Sequence, residues 1–137
     1  NSLKKIKHIH FIGIGGSGMI GIAYLLLRKG YKVSGSDINK SNALKDLKKL
    51  GAKVSYRHHE KNIVKSDLVV ISSAIRPSNP EYRQARKDNI TIIPRAEMLG
   101  SLMRGYESIA IAGSHGKQLQ PVSLLAYLAK HLLVLHM

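Results

Sequence analysis

Residues 8–22 read "HIHFIGIGGSGMIGI", an apolar run, a cluster of glycines and the start of an apolar helix. Gly13, Gly15 and Gly18 satisfy G-x-G-x-x-G with a strand pattern before and a helix pattern after. Glycines there permit a tight turn and let backbone N–H groups approach a diphosphate, while the helix N-terminus adds partial positive charge. Asp37 follows Gly18 by 19 residues, at the end of the next apolar run, where an acidic group commonly accepts a ribose hydroxyl hydrogen bond. Taken alone, this pattern says dinucleotide. The same glycines also suit a turn needed only for close packing of helix on strand.

Working outward, strand-like runs recur at "YKVSGSD", "AKVSYR", "DLVVIS", "ITIIP" and "SIAIAG", and helical periodicity fills most of the gaps. In the first helix Ile20, Ala23, Tyr24 and Leu27 form one stripe and Met19, Ile22 and Leu26 another, so the helix is buried on much of its circumference. Arg28 and Lys29 in its last turn and Gly30 beyond them mark its end. Ser41 caps a second helix whose Leu44 and Leu47 face the sheet and which Gly51 stops. Asn79 caps a third, with Pro80 at its first position and Glu81 near the positive end of the dipole. Strand and helix in alternation predict a Rossmann-like, doubly wound α/β fold, with a mainly parallel sheet and helices on both faces. Ligands then sit beyond the carboxyl ends of the strands.

The 137 residues suit one domain with a sizeable core and leave no room for two complete ones. Twenty-two Lys and Arg against eight Asp and Glu give a net charge of +14, which favours anionic partners. The cations are spread over nearly every segment, however, without interleaved aromatic residues, so a solvated cationic surface is expected and no specific nucleic-acid partner. With no cysteine, disulfides, thiolate metal sites and cysteine nucleophiles are excluded. No signal-peptide pattern opens the chain, and its longest apolar stretch, "VSLLAYLAKHLLVLHM", is interrupted by Lys130 and His131 and too short to span a bilayer. A cytoplasmic protein without a membrane partner is the expectation.

The sixth strand runs into "GSHGK", Gly113–Lys117, a second glycine loop that resembles the phosphate loop of ATP-using enzymes. It is incomplete, since a full Walker pattern wants Gly at Ile111 and Ser or Thr at Gln118. No Lys, Tyr or His stands as an obvious hydride-transfer acid after the fourth strand, which ends in Ser72, Ser73 and Ala74.

"HIHFIGIGGSGMIGIA", "VSGSD", "VVISSAI", "NPEYRQAR", "IPRAEMLGSLMR" and "IAIAGSHGK" occur in the order, and at about the spacing, of the amino-terminal part of the Mur ligases, and the chain resembles that family over about residues 6–117. The resemblance implies a Rossmann-like domain over 1–107 that holds UDP-N-acetylmuramate, followed at 108–137 by the start of a central ATPase domain. By the same resemblance, Gly15, Gly16, Ser17 and Gly18 cradle the diphosphate and Asp37 sits near the uridine end. Ser72, Ser73, Ala74 and His58 line the crevice, and Gly113, Ser114, His115, Gly116 and Lys117 contact ATP. The complete enzyme uses ATP and Mg²⁺ to activate the substrate carboxylate for attack by the L-alanine amine.

Two departures matter. Gln118 replaces the first of a run of threonines whose hydroxyl helps hold Mg²⁺, and the chain ends ahead of the family's remaining domains. Binding without catalysis is therefore expected, with no catalytic or metal-ligating residue in the chain and with self-association through the carboxy-terminal apolar helix. His8 and His10 share one strand face, where a sheet role outweighs a metal site. Arg95 and Glu97 either begin a helix or belong to the site, and Met98, Leu99 and Leu102 are core. A nicotinamide-binding oxidoreductase domain and a non-catalytic nucleotide-binding module remain the alternatives.

Overall fold

A computed structural model describes residues 6–103. Five strands, β1 (His8–Ile12), β2 (Lys32–Ser36), β3 (Lys53–Ser55), β4 (Leu68–Ile71) and β5 (Thr91–Pro94), form one sheet in the order β3-β2-β1-β4-β5. Every pairing is parallel, with Ile9 opposite Val33 on one side and Leu68 on the other. The connections are α1 (Met19–Arg28), α2 (Asn42–Lys49), a 3-10 helix (Glu60–Ile63) and α3 (Pro80–Lys87), and α4 (Arg95–Met103) follows β5. The fold is the doubly wound, Rossmann-like arrangement expected from the alternation of strand and helix. Strand order reverses at β1, so a crevice opens over the carboxyl ends of β1 and β4.

Alternate residues along each strand serve opposite faces. Ile9 and Phe11 of β1 and Leu68 and Val70 of β4 pack with α1, α2 and α4 through Ile22, Leu25, Leu26, Leu44, Leu47, Met98 and Leu102, all buried. Each such side chain contributes about 1.5–3 kcal/mol of burial energy. On the other face a smaller cluster joins Ile12 and Val69 to Ile63 and to Ala85 of α3. The helix signals hold: Ser41 and Asn79 are the N-caps of α2 and α3, and Pro80 opens α3. Met19, Ile22 and Leu26 are fully buried, while Ile20, Tyr24 and Leu27 pack partly buried against the same core.

One close approach fixes the start of the glycine loop. A Cβ on Gly35 of β2 would lie 2.6 Å from the buried Ile14 side chain, so only glycine lets the loop fold down onto β2. One connection differs from the expected strand–helix repetition. Between β3 and β4 there is only the four-residue 3-10 helix, because "HHEKNIVKSD" has too few apolar positions to cover the sheet as a full helix does. That substitution leaves a polar face on β1 and β2, which other groups must satisfy. The predicted sixth strand, the loop Gly113–Lys117 and the carboxy-terminal apolar helix lie outside the described residues, as does the boundary at 107/108.

Candidate functional site

The glycine loop uses most of its own amides. The N–H groups of Gly13 and Ile14 both donate to Ser36 O (2.8 and 2.9 Å), Gly16 N–H donates to Gly13 O (2.9 Å) and Met19 N–H to Gly16 O (3.0 Å). Gly15 N–H donates to Asp37 Oδ2 at 2.7 Å, and Asn39 N–H donates to Asp37 Oδ1 at 2.9 Å. Asp37 is thus an anchor of the loop as well as a group at the end of β2, which its position in the sequence did not reveal. Among the described residues, the amides of Ser17 and Gly18 have no partner.

Those amides open α1, and α1 differs from its neighbours. Gly18, at φ 76°, is its N-cap, with no side-chain cap and no acidic residue in the first turn. By contrast, Ser41 Oγ accepts from Leu44 N–H at the start of α2, and Asn79 Oδ1 accepts from Glu81 and Tyr82 N–H at the start of α3. A bare helix N-terminus presents unpaired donors and about half a positive charge. Arg95, the first residue of α4, lies against it: its Nη1 is 2.9 Å from where a Gly18 Cβ would be. Two positive ends side by side repel unless an anion lies between or beside them. Ser72 closes the floor, its Oγ 2.8 Å from the place of a Gly13 Cβ. Gly15, Gly16, Gly18, Asp37 and Ser72 are therefore gathered at one point with Arg95, a residue whose sequence setting left two readings open. Ser17 is exposed at the loop tip, and Ser73 and Ala74 are exposed in the turn after β4.

His58 belongs to a second constellation, on the polar face. Its Nδ1 is 2.8 Å from Ser36 Oγ, and Ser36 Oγ–H donates to Glu81 Oε1 at 2.7 Å. Glu81 on α3 is fully buried and is the hub of that face. His10 Nε2–H donates to its Oε1 (2.6 Å), and its Oε2 accepts from His59 N–H (2.9 Å) and Asn62 Nδ2 (2.7 Å). Behind His10, Ser34 Oγ lies 2.7 Å from His10 Nδ1 and 2.8 Å from His8 Nε2, while His8 Nδ1–H donates to Lys65 O at 3.2 Å. Ser34 has one proton for two ring nitrogens, so satisfying every bond requires one of the two rings to carry two protons. His8 and His10 do share a face and serve the sheet; no group of three metal-ligating side chains occurs among the described residues.

Burial pushes the Glu81 carboxyl up, but the hydrogen bond and charge of His10, with the bonds from Asn62 and His59, outweigh it and hold Glu81 below its ordinary value. For His8, burial dominates and lowers the ring below its ordinary value, against the opposing Lys65 carbonyl. In both cases the unfolded chain binds protons more readily than the folded one, so stability rises with pH. The His8 contribution is present above its ordinary value of 6.5 and is lost as pH falls toward its lowered value. The Glu81 contribution follows below 4.5. Urea midpoints measured from pH 8 to pH 3.5 should fall in two stages, each limited to about 1.4 kcal/mol per pH unit. A His8→Gln chain should lose the upper stage, and an upper stage that survives that change would assign it elsewhere.

A family model described as Mur ligase family, catalytic domain, matches residues 8–107. The UDP-N-acetylmuramate–L-alanine ligase of Nitrosomonas eutropha is 54% identical over 113 residues, 82% of this chain and 24% of that protein. The enzyme of the same name from Aquifex aeolicus is 53% identical over 114 residues, 83% of this chain and 25% of that protein. The crystal structure of the UDP-N-acetylmuramate-alanine ligase of Thermotoga maritima superimposes with a TM-score of 0.65 at 36% identity, over 69% of this chain and 22% of that one. The chain spans about a quarter of the length of the curated relatives it matches.

Proposed function

Because this chain belongs to the Mur ligase family, we propose that it forms the nucleotide-sugar-binding part of an ATP-dependent ligase that joins L-alanine to UDP-N-acetylmuramate in peptidoglycan precursor synthesis. The feature that carries the proposal is the uncapped start of α1 beside Arg95, with two unused amides at Ser17 and Gly18. A diphosphate supplies the anion this arrangement lacks. In this reading Gly15 and Gly16 shape the loop, Ser17, Gly18 and Arg95 meet the diphosphate, Asp37 and His58 face the uridine end, and Ser72, Ser73 and Ala74 border the crevice.

ATP, Mg²⁺ and L-alanine belong to the complete ligase. Gly113, Ser114, His115, Gly116 and Lys117 would meet ATP, but Gln118 offers no hydroxyl to Mg²⁺. The chain alone therefore binds the sugar nucleotide without turning it over. A cytoplasmic location goes with that role; no helix among the described residues is long and apolar enough to cross a membrane.

Calorimetric titration of the 137-residue chain with UDP-N-acetylmuramate, UDP and NADH tests the reading. The sugar nucleotide should bind tightest, UDP more weakly and NADH not at all. Tighter binding of NADH than of UDP would establish the oxidoreductase alternative instead.

A further inference from the structure

We infer that His58 is held by Ser36 and Glu81 as a hydrogen-bond acceptor at Nε2, and that a ligand reaching this ring at the carboxyl edge of the sheet is selected for a hydrogen-bond donor at that point. The inference rests on the proposed binding of a uridine nucleotide and adds the chemical sign of one contact.

The argument is a count of protons. Ser36 is fully buried, and its hydroxyl owns one hydrogen, directed at Glu81 Oε1. The contact from Ser36 Oγ to His58 Nδ1, 2.8 Å, then lacks a hydrogen unless the imidazole supplies it. Were the hydroxyl turned toward His58 instead, the Ser36 oxygen would face a carboxylate oxygen at 2.7 Å with no proton between them. Glu81 is ionised at neutral pH, held so by its bonds from His10, Asn62 and His59, so it cannot supply that proton. The second carboxylate oxygen points the same way: Glu81 Oε2 lies 3.7 Å from His58 Nδ1, which favours a proton on that nitrogen. Neutral His58 therefore carries Nδ1–H and leaves Nε2 with a lone pair, whereas an unconstrained imidazole favours the opposite form.

The His58 ring is partly open to solvent. Its side chain is 20% exposed, and it follows β3 at the carboxyl edge of the sheet, one strand away from Asp37. With Nδ1 committed inward, Nε2 is the polar atom left for a ligand. A bare Nε2 rejects another acceptor and welcomes a hydroxyl or an imide N–H, both of which a uridine nucleotide carries. Ser36 and Glu81 act through His58 and so are positioning residues.

Long-range proton–nitrogen spectra of the ¹⁵N-labelled chain at pH 8 read the ring directly. Nδ1–H with a bare Nε2 is expected in the free protein, and UDP should shift the Nε2 signal as it accepts a hydrogen bond. Ser36→Ala should return the ring to Nε2–H and weaken UDP about tenfold; Ser36→Thr, which keeps the hydroxyl, should restore both. N3-methyl-UDP and 2′,3′-dideoxy-UDP separate the two donors, and one of them should lose affinity in the native chain but not in Ser36→Ala. A native chain that binds UDP with Nε2–H on His58, or that binds both analogues as well as UDP, overturns this inference alone. A chain with the Nδ1–H form that fails to bind UDP overturns the proposed function, and the ligand contact with it.

Discussion

Glu81→Ala should destabilise the chain by about 3–5 kcal/mol, the cost of removing a buried carboxylate and leaving its buried hydrogen-bond partners unpaired. The carboxylate is fully buried and accepts hydrogen bonds from His10, Ser36, His59 and Asn62. Truncation leaves a methyl group facing a buried imidazole and a buried hydroxyl, beside the half-buried Asn62 amide and His59 N–H. Domains of this size retain only about 5–15 kcal/mol in total, so the variant should unfold at a markedly lower urea concentration. Removing both partners, as His10→Phe with Glu81→Leu, should cost less than the sum of the two single changes, because neither is then left alone. A Glu81→Ala midpoint within error of the native one would show that α3 does not carry the polar face.

Gly18→Val should weaken UDP-N-acetylmuramate by about a hundredfold or more. Valine is strained at a φ of 76°, and its Cβ would stand 2.9 Å from Arg95 Nη1. It would therefore drive away the guanidinium and cover the two open amides at once. Strain alone costs on the order of 1–3 kcal/mol of stability, so a control is needed. Gly30 supplies one: its φ is 96°, and nothing lies within 4 Å of where its Cβ would be. Gly30→Val should suffer similar strain at the far end of α1 and keep its ligand. Equal affinity in folded Gly18→Val and Gly30→Val, read by calorimetry, would move the diphosphate away from α1.

Most of the fold is legible in the sequence because its signals are local. Ser41 and Asn79 mark helix starts through bonds to residues two or three positions away, Pro80 does so by its fixed φ at the first helical position, and Gly30 and Gly51 stop helices by their own backbone angles of 96° and 113°. The glycine loop is equally local. Glu81 is not: beside Asn79 and Pro80 it reads as an acid that suits a helix start, and its real partners lie up to 71 residues away. A signal was present in β1 and β2. His8, His10, Ser34 and Ser36 fall at period two on adjacent strands, so one face of the sheet lacks apolar side chains where a covering helix would need them. Such a face demands a buried polar partner, and the sequence does not say which residue supplies it. Arg95 was obscured similarly, since its approach to Gly18 depends on how α4 returns over the crevice.

The polar hub also bears on the order in which the chain assembles. Strands β1 and β2, joined only by α1, can pair early, and their apolar face can collapse onto that helix. Their polar face waits for Glu81, which is 71 residues from His10 and 45 from Ser36. Closing so long a loop precedes any gain from the contacts it makes. The carboxylate thus arrives late, after water has been kept on His10, Ser34 and Ser36 through the earlier steps. Contacts formed after the rate-limiting barrier act on escape from the native state rather than on entry to it. Stopped-flow chevrons of Glu81→Ala should show most of the lost free energy as faster unfolding, with refolding little changed. Slowed refolding would place α3 in the nucleus. A late latch of this kind sets the lifetime of the folded domain, and the same carboxylate that orders the histidines governs how long the crevice persists before the chain reopens.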